Sequence, residues 1–227
     1  MGLDGVVPTV PGEVSRHRER ASTDVAVLHA VLDAITVGTL STVVDGQPWV
    51  VPMLFARDAD RLLLHGSTGA GALRHVAAGV PAAFSVVAMD ALVVAHTTFE
   101  SSANYRSAVV RGHLQPLADA EQATALDQLA ERLLPGRTSE IRGTTAKERA
   151  ATLVTQLPIE PQSWTVKIRT GPPSPPDEPT DAWTGVVALH TVAGPPEPAG
   201  STPPDRPVPP SVRRLLSEYP TVPDRQT

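Results

Sequence analysis

The sequence of 227 residues predicts a mostly β protein with peripheral helices. Two observations lead to this fold class. First, Thr39–Arg74 contains three consecutive segments of extended character, separated by short polar turns. Second, later segments are long runs of valine, alanine and leucine, whereas helical periodicity is confined to short stretches between them.

The first predicted element is a helix that begins near Thr23 and ends at Gly38. Its apolar residues recur at helical spacing, at Val25, Leu28, Val31, Leu32 and Ile35. Ser22 or Thr23 can cap its N-terminus. We expect this helix to pack on the β-structure through its apolar face.

Three strands follow the helix, at Thr39–Val44, Gln47–Arg57 and Arg61–His65. Asp45-Gly46 joins the first two as a hairpin, because both turn positions tolerate positive φ. Pro48 and Pro52 lie inside the second strand, and proline cannot donate to a β-ladder. The second strand is therefore predicted to be an edge strand or to be bulged.

Four small residues, Gly66–Gly69, separate the third strand from a predicted helix at Ala70–Ala78. A strand that enters such a loop before a helix leaves backbone N–H groups unpaired, which predicts a phosphate or carboxylate site. Arg74 can add a charge-assisted contact. His65 has two interpretations, a ligand contact or proton donor beside this site, and a histidine that only ends a strand.

Two more hairpin strands are predicted at Ala82–Ala88 and Leu92–Thr98, with the turn at Met89-Asp90-Ala91. Both are almost continuously apolar, so we expect them to be central or covered by a partner. Asn104–Leu117 is the next strand. Its alternation places Arg106 on one face and Ser107 on the other, so both cannot point at one ligand.

Two helices and a closing strand complete the ordered pattern. Asp119 and Gln122 resemble a capping box for a helix that ends at Pro135-Gly136. Thr145 and Glu148 form a second capping box, for a helix that reaches about Leu153. The alternating segment Ser163–Arg169 is the closing strand.

The composition divides the chain into three parts: a flexible arm at 1–20, a domain at 21–190 and a proline-rich, disordered tail at 191–227. Most of the 24 prolines lie after Gly171. Such a composition cannot bury enough apolar surface to offset chain entropy. Trp183–Leu189 has strand propensity, whereas Ser211–Tyr219 is too short to be a stable helix alone.

Several classes of function are disfavoured by composition. The chain has no cysteine, and its histidines and acids show no metal-ligand spacing. The net charge of −5 disfavours nucleic-acid binding, and the charged N-terminal region contains neither a signal peptide nor a membrane span, which predicts a cytoplasmic protein. Motifs of hydrolase nucleophiles and of dinucleotide or nucleoside-triphosphate sites are also missing.

Four segments in order, GTLST, DGQPWVVPMLF, RLLLHGS and NYRSAVVRG, resemble the pyridoxamine 5′-phosphate oxidase-related, FMN-binding split-barrel family, especially its nitroimidazole-resistance-like branch. The resemblance covers roughly Ala21 to Leu189. It implies a six-or-so-stranded split barrel, a homodimer with the site between subunits, and FMN as the cofactor.

The resemblance also implies the cofactor contacts. In flavin-binding relatives, the first matching segments lie beside the isoalloxazine ring. The next segment holds the phosphate, and later strands add further contacts. In this chain they are Thr39, Leu40, Ser41, Thr42, Val51, Pro52, Met53, His65, Gly66, Ser67, Arg74, Tyr105, Arg106, Ser107 and Trp183. Relatives commonly carry lysine or arginine where this chain has Gly71, so Arg74 would carry much of the phosphate contact.

We therefore expect an FMN-dependent oxidoreductase that acts on a small molecule. The flavin ring would transfer the electrons and the protein would orient it. His65 is the one candidate for acid or base chemistry. Two alternatives remain open: a non-catalytic protein that holds haem, flavin or another nucleotide in the same barrel, and a dimerisation platform for the proline-rich tail.

Overall fold

The computed structural model describes residues 17–69 and 79–219. The predicted helix Ala70–Ala78, with Gly71 and Arg74, lies outside the described residues. So does most of the predicted arm.

Within the described residues the structure has ten strands and four α-helices. The strands are β1 Ala21–Ser22, β2 Val37–Val44, β3 Gln47–Asp58, β4 Arg61–Ser67, β5 Pro81–Val94, β6 Ser102–His113, β7 Gln115–Pro116, β8 Thr152–Pro158, β9 Trp164–Arg169 and β10 Gly185–Ala188. The helices are α1 Val25–Ala34, α2 Asp119–Leu133, α3 Ala146–Ala150 and α4 Pro210–Glu218.

The strands form one antiparallel sheet in the order β1-β9-β6-β5-β2-β3-β4-β8-β7, and β10 also pairs with β5. The sheet closes into a barrel because β6 meets β8. A Cβ atom on Gly112 of β6 would lie 3.2 Å from the Leu157 side chain of β8. The predicted mostly β split-barrel fold is confirmed.

Two apolar clusters hold the fold together. The barrel interior contains Leu40, Phe84 and Val110, and the rings of Phe55 and Phe84 meet edge to face with centroids 4.9 Å apart. This geometry favours aromatic pairs. The second cluster lies outside the barrel wall, where α2 covers β4 and β8; its buried members are Ala56, Leu63, Leu117, Ala125, Leu129 and Val154.

Helix α1 packs on the barrel through Leu28, Val31 and Leu32, as its spacing predicts. Its cap differs from the prediction. Asp24 is the N-cap residue and accepts a hydrogen bond from the backbone N–H of Ala26 at 2.8 Å. Aspartate suits this position because its carboxylate also faces the positive end of the helix dipole.

The predicted hairpin between Ala82 and Thr98 is wrong, because β5 runs as one strand from Pro81 to Val94. A bulge between Met89 and Ala91 replaces the turn. The bulge keeps the strand direction and shifts the alternation by one residue. One face of β5 is buried in the core, whereas Val87 and Met89 on the other face are 67% and 53% exposed.

The two predicted capping boxes have different outcomes. Thr145 and Glu148 form a complete capping box at α3. At α2 the N-cap residue is Ala118, and the Asp119 side chain instead accepts from the Gln122 amide. Helix α3 ends at Ala150, and the next residues form β8, which the sequence reasoning missed.

The proline-rich region contains ordered elements. β10 pairs with β5, and Ser211 at the start of α4 is buried. The Ser211 N–H and hydroxyl donate to the Glu140 carboxylate at 2.8 and 2.6 Å. Tertiary contacts thus support a helix that is too short to be stable alone. The division into arm, domain and tail stays a prediction.

Candidate functional site

The barrel wall opens between β3 and β4. These strands pair only from Asp58↔Arg61 to Phe55↔Leu64. Beyond that point β3 pairs with β2, and β4 pairs with β8. Pro48 and Pro52 lie in the half of β3 that pairs on one side, which confirms the predicted edge. We call the opening between Val51–Met53 and His65–Ser67 the split.

The split brings two of the predicted cofactor segments face to face. If the β3–β4 register continued, Met53 would lie opposite Gly66 and Pro52 opposite Ser67. The strands diverge instead, so one edge of each segment is free of strand pairing among the described residues. Free strand edges present both N–H donors and C=O acceptors to a ligand.

Strand β2 places a third predicted segment beside the split. Thr39 lies opposite Pro52, and Leu40 lies opposite Val51. Because directly paired residues share a face, Thr39, Ser41 and Pro52 point out of the barrel, whereas Leu40 is fully buried inside it. We call the side of the sheet that carries Thr39 and Ser41 the outer face.

Not every residue of the predicted ring segments has its side chain on this face. Val51 and Met53 pack against the barrel core. The Thr42 hydroxyl donates to the Pro81 carbonyl oxygen at 2.7 Å. Leu40, Val51 and Met53 can therefore contact a ligand on the outer face only through their backbones.

His65 lies beside the split with its ring half-buried. It is paired with Val154 of β8, and Nδ1 of its ring is buried without a hydrogen-bond partner among the described residues. Burial lowers the pKa of His65 below its ordinary value, so the imidazole is neutral at neutral pH. A neutral imidazole can donate one hydrogen bond and accept another.

The turn after β4 is less open than the sequence predicts. Strand β4 continues to Ser67. The Thr68 N–H donates to the Ala151 carbonyl oxygen at 3.0 Å, and the Gly69 N–H donates to Ser67 Oγ at 3.1 Å. The expectation of free N–H groups is therefore wrong for Thr68 and Gly69, because the turn docks on the end of α3.

The two faces of β6 carry alternate side chains, as predicted for Tyr105, Arg106 and Ser107. Ser107 and Tyr105 pair with Val87 and Met89 and share their exposed face. Arg106 points to the opposite side of the sheet.

Arg106 is therefore not part of the group that surrounds the split. Its Nε and Nη2 atoms donate to the Asp90 carboxylate at 2.9 and 2.7 Å. It lines a cavity of about 390 Å³ between β6 and α1. The β5 bulge lies at Asp90 and brings its carboxylate within reach of Arg106. The cofactor contact of Arg106 stays a prediction.

Trp183 is remote from the split within one chain. Its ring packs over Gly185, which pairs with Val94 of β5, and it is 67% exposed. Thr39 pairs with Ser85 of the same strand. Ser85 and Val94 are nine positions apart, which separates the two places by roughly 30 Å along the strand. Any contact of Trp183 with a ligand in the split would require a second subunit.

Sequence reasoning missed Ser85, which lies on the outer face between Thr39 and Val109. No sequence motif marks this residue, because its position follows from the register of three strands. Among the described residues, no cluster of His, Asp or Glu could hold a metal ion. No helix in the described part of the chain is long and apolar enough to cross a membrane.

A family model described as pyridoxamine 5′-phosphate oxidase matches residues 24–166. The chain is similar to the FAD and heme binding protein from Mycobacterium smegmatis, with 43% identity and a TM-score of 0.84 over 86% of this chain and 97% of that one. No curated protein matches the chain.

Two further solved structures share the fold. The flavocytochrome Anf3 from Azotobacter vinelandii is 29% identical, with a TM-score of 0.82 over 92% of this chain and 96% of that one. A Bacteroides thetaiotaomicron protein assigned to 5-nitroimidazole antibiotic resistance is 20% identical, with a TM-score of 0.54 over 65% of this chain and 86% of that one.

Proposed function

Because the chain belongs to the pyridoxamine 5′-phosphate oxidase family, we propose that it is a flavin-binding redox protein that holds the flavin in the split. The observation that carries this proposal is the divergence of β3 and β4, which sets Val51–Met53 against His65–Ser67. The similarity to an FAD and heme binding protein and to a flavocytochrome supports it.

The residues around the split fit a flavin. The isoalloxazine ring is planar and carries hydrogen-bonding nitrogens and oxygens along one edge. The free edges of β3 and β4 offer backbone donors and acceptors, and the unpartnered Nδ1 of His65 offers one more polar contact. Thr39, Ser41 and Pro52 are small, so they leave room for a ring on the outer face.

The phosphate of the flavin has a narrower set of partners. The N–H groups of Thr68 and Gly69 are already used, so the Ser67 hydroxyl is the polar side chain that remains at the turn. Arg74 stays the proposed charged partner. We propose FMN as the ligand on the basis of these residues, and FAD contains the same riboflavin phosphate.

A bound flavin would supply two-electron redox chemistry, and the proposed reaction is the oxidation or reduction of a small molecule. The chain's own residues would orient the ring through their backbones. His65, held neutral by burial, can hold or accept a proton at Nδ1. This proton is the one acid or base contribution that the described residues offer beside the split.

We further propose that the protein is a homodimer that covers the site. The outer face of β5 and the adjoining β10 expose a group of apolar side chains: Val87, Met89, Leu92 and Val187. Large exposed apolar patches commonly mark subunit contacts. A second copy on this face would exclude water from the split.

A second candidate function is haem binding without catalysis. The 43% identical structure is of a protein that binds both FAD and heme. In this chain, His65, whose ring nitrogen has no hydrogen-bond partner among the described residues, is the residue that would hold the haem iron. The dimer would then either bind haem and flavin at the same time or bind only one of them at a time.

The visible absorption spectrum separates these functions. We expect protein that is incubated with FMN or FAD and then freed of unbound ligand to show flavin bands, which bleach on reduction. A Soret band without flavin would favour the second candidate. A colourless protein after incubation with FMN, FAD and haem would contradict both.

A further inference from the structure

The outer face ends in a cavity of about 580 Å³. It lies where β2, β5 and β6 end, and Ser41, Ala83, Arg111 and His113 are among the residues that line it. Its volume is in the range of sites for small organic molecules. Valine, proline and alanine side chains form most of its wall, so the body of a ligand here would be apolar.

Arg111 gives the cavity its charge. It is half-buried, and its Nη1 atom donates to the Thr165 hydroxyl at 3.1 Å. The half-buried Arg61 and Arg106 have carboxylate partners, whereas the half-buried Arg169 donates to the Ala103 carbonyl oxygen and the Asn104 side chain. Arg111 has no carboxylate partner among the described residues, and residues 70–78, which precede the cavity wall in sequence, contain no aspartate or glutamate.

A half-buried guanidinium without an anion favours an anionic ligand. Its planar group matches carboxylate and phosphate oxygens, and the low polarity of the walls strengthens the attraction. The neutral hydroxyl of Thr165 fixes the side chain, and no carboxylate of the described residues balances its charge. The charge of Arg111 is thus a second reason to expect a ligand, in addition to the presence of the cavity.

The register connects the cavity to the split. Val50, Ser41, Ala83 and Arg111 are directly paired in turn across β3, β2, β5 and β6. Paired residues share a face, so these four form one row on the outer face. Three strand spacings separate β3 from β6, which is about 14 Å.

We infer that the cavity is a subsite for an organic anion with an apolar or aromatic body, bound through Arg111. Two sources have this chemistry. One is the adenosine phosphate half of FAD, which rests on the proposed function and extends from the split along this row. The other is a separate organic acid that serves as substrate.

Isothermal titration of the full chain with FAD, FMN, AMP and benzoate tests this inference. Three variants are compared with the native protein. Arg111→Gln removes the charge and Ala83→Leu fills part of the cavity without changing charge. Arg206→Gln is the charge-matched control, because Arg206 is exposed in the tail.

If the ligand is the nucleotide half of FAD, Arg111→Gln and Ala83→Leu weaken FAD binding about tenfold or more and leave FMN binding unchanged. If it is a separate acid, both variants weaken benzoate binding and leave the FAD and FMN affinities at their native values. Arg206→Gln should match the native protein in either case. Should Arg111→Gln fail to fold, Ala83→Leu alone decides.

Three results would overturn the inference. Equal weakening of FMN and FAD would assign Arg111 to the riboflavin phosphate. A change of oligomeric state without a change in binding would assign it to a subunit contact. Affinities that match the Arg206→Gln control throughout would leave the cavity without a ligand role. Failure of native protein to bind either flavin would contradict the proposed function, while AMP and benzoate would still test the cavity.

Discussion

At the scale of single residues, Gly38 shows how closely β2 approaches the barrel core. A Cβ atom at this position would lie 2.3 Å from two ring atoms of Phe84 and 3.0 Å from the Ser85 carbonyl oxygen. The Phe84 ring cannot move freely, because it is buried against Phe55. Glycine is therefore required for packing beside the proposed flavin segment.

We expect Gly38→Ala to lower the free energy of unfolding by about 1–3 kcal/mol, the usual cost of overpacking a core. Thermal denaturation measures the loss. Gly143→Ala is the matched control, because a Cβ atom there meets nothing within 4 Å. Equal melting temperatures for the two variants would show that the Phe84 ring gives way without cost.

His65 predicts a dependence of stability on pH. Burial lowers its pKa in the folded protein, so the unfolded chain binds the proton more tightly. The contribution of neutral His65 to the free energy of unfolding is therefore fully present above the ordinary histidine pKa of about 6.5. It is lost as the pH falls from there towards the pKa of the folded protein. We expect the melting temperature of the native protein to fall more than that of His65→Leu between pH 7 and pH 5. Parallel curves would contradict the burial of a neutral imidazole.

At the scale of elements, the Glu140 carboxylate anchors the first turn of α4. The Ser211 N–H and hydroxyl donate to Glu140, and the hydroxyl bond is the main cause of the lowered pKa of Glu140. Ser211→Ala removes the hydroxyl bond and keeps the backbone one. We expect trypsin to cleave at Arg213 or Arg214 about tenfold faster in this variant, because α4 detaches more often.

Ser217→Ala is the control for this experiment, because the exposed Ser217 bonds only within its own helix, to Arg214. If both variants are cleaved at the native rate, the Glu140 contact does not hold α4 in place.

The sequence was most informative about elements with a local signal. The β2–β3 hairpin, the edge character of β3 and the capping box of α3 follow from turn, proline and capping chemistry within a few residues. β5 and β8 were predicted wrongly or missed. A bulge at Asp90 and a short strand after α3 depend on pairing partners far along the chain, which local propensity does not contain.

At the scale of the whole molecule, the exposed apolar outer face is the observation behind the proposed homodimer. An obligate interface of this kind should bury well over about 2,000 Å² in total. We expect Val87→Glu to convert the dimer to a monomer in sedimentation velocity, because it buries a charge in the contact.

Ile141→Glu introduces the same charge at a side chain that is 49% exposed in the loop after α2, and it should leave the dimer intact. A native protein that is monomeric at micromolar concentration would contradict the dimer.

The site was predictable only in part. The resemblance named Val51–Met53 and His65–Ser67, and the structure sets them on opposite sides of the split. It also named Arg106, which the alternation of β6 turns to the other side of the sheet, and Trp183, whose position depends on the pairing of β10 with β5. The Arg111 cavity has no sequence motif, since the row from Val50 to Arg111 exists only once four strands are in register.

The flavin affinity of the native protein, His65→Leu and His29→Leu tests the location in the split most directly. Both histidines are half-buried, but only His65 borders the split, whereas His29 lies on α1 with its Nε2 atom 3.3 Å from an Asp60 carboxylate oxygen. Fluorescence titration with FMN should show native-like binding for His29→Leu and about three- to tenfold weaker binding for His65→Leu. Equal affinities for all three proteins would contradict a flavin held between β3 and β4.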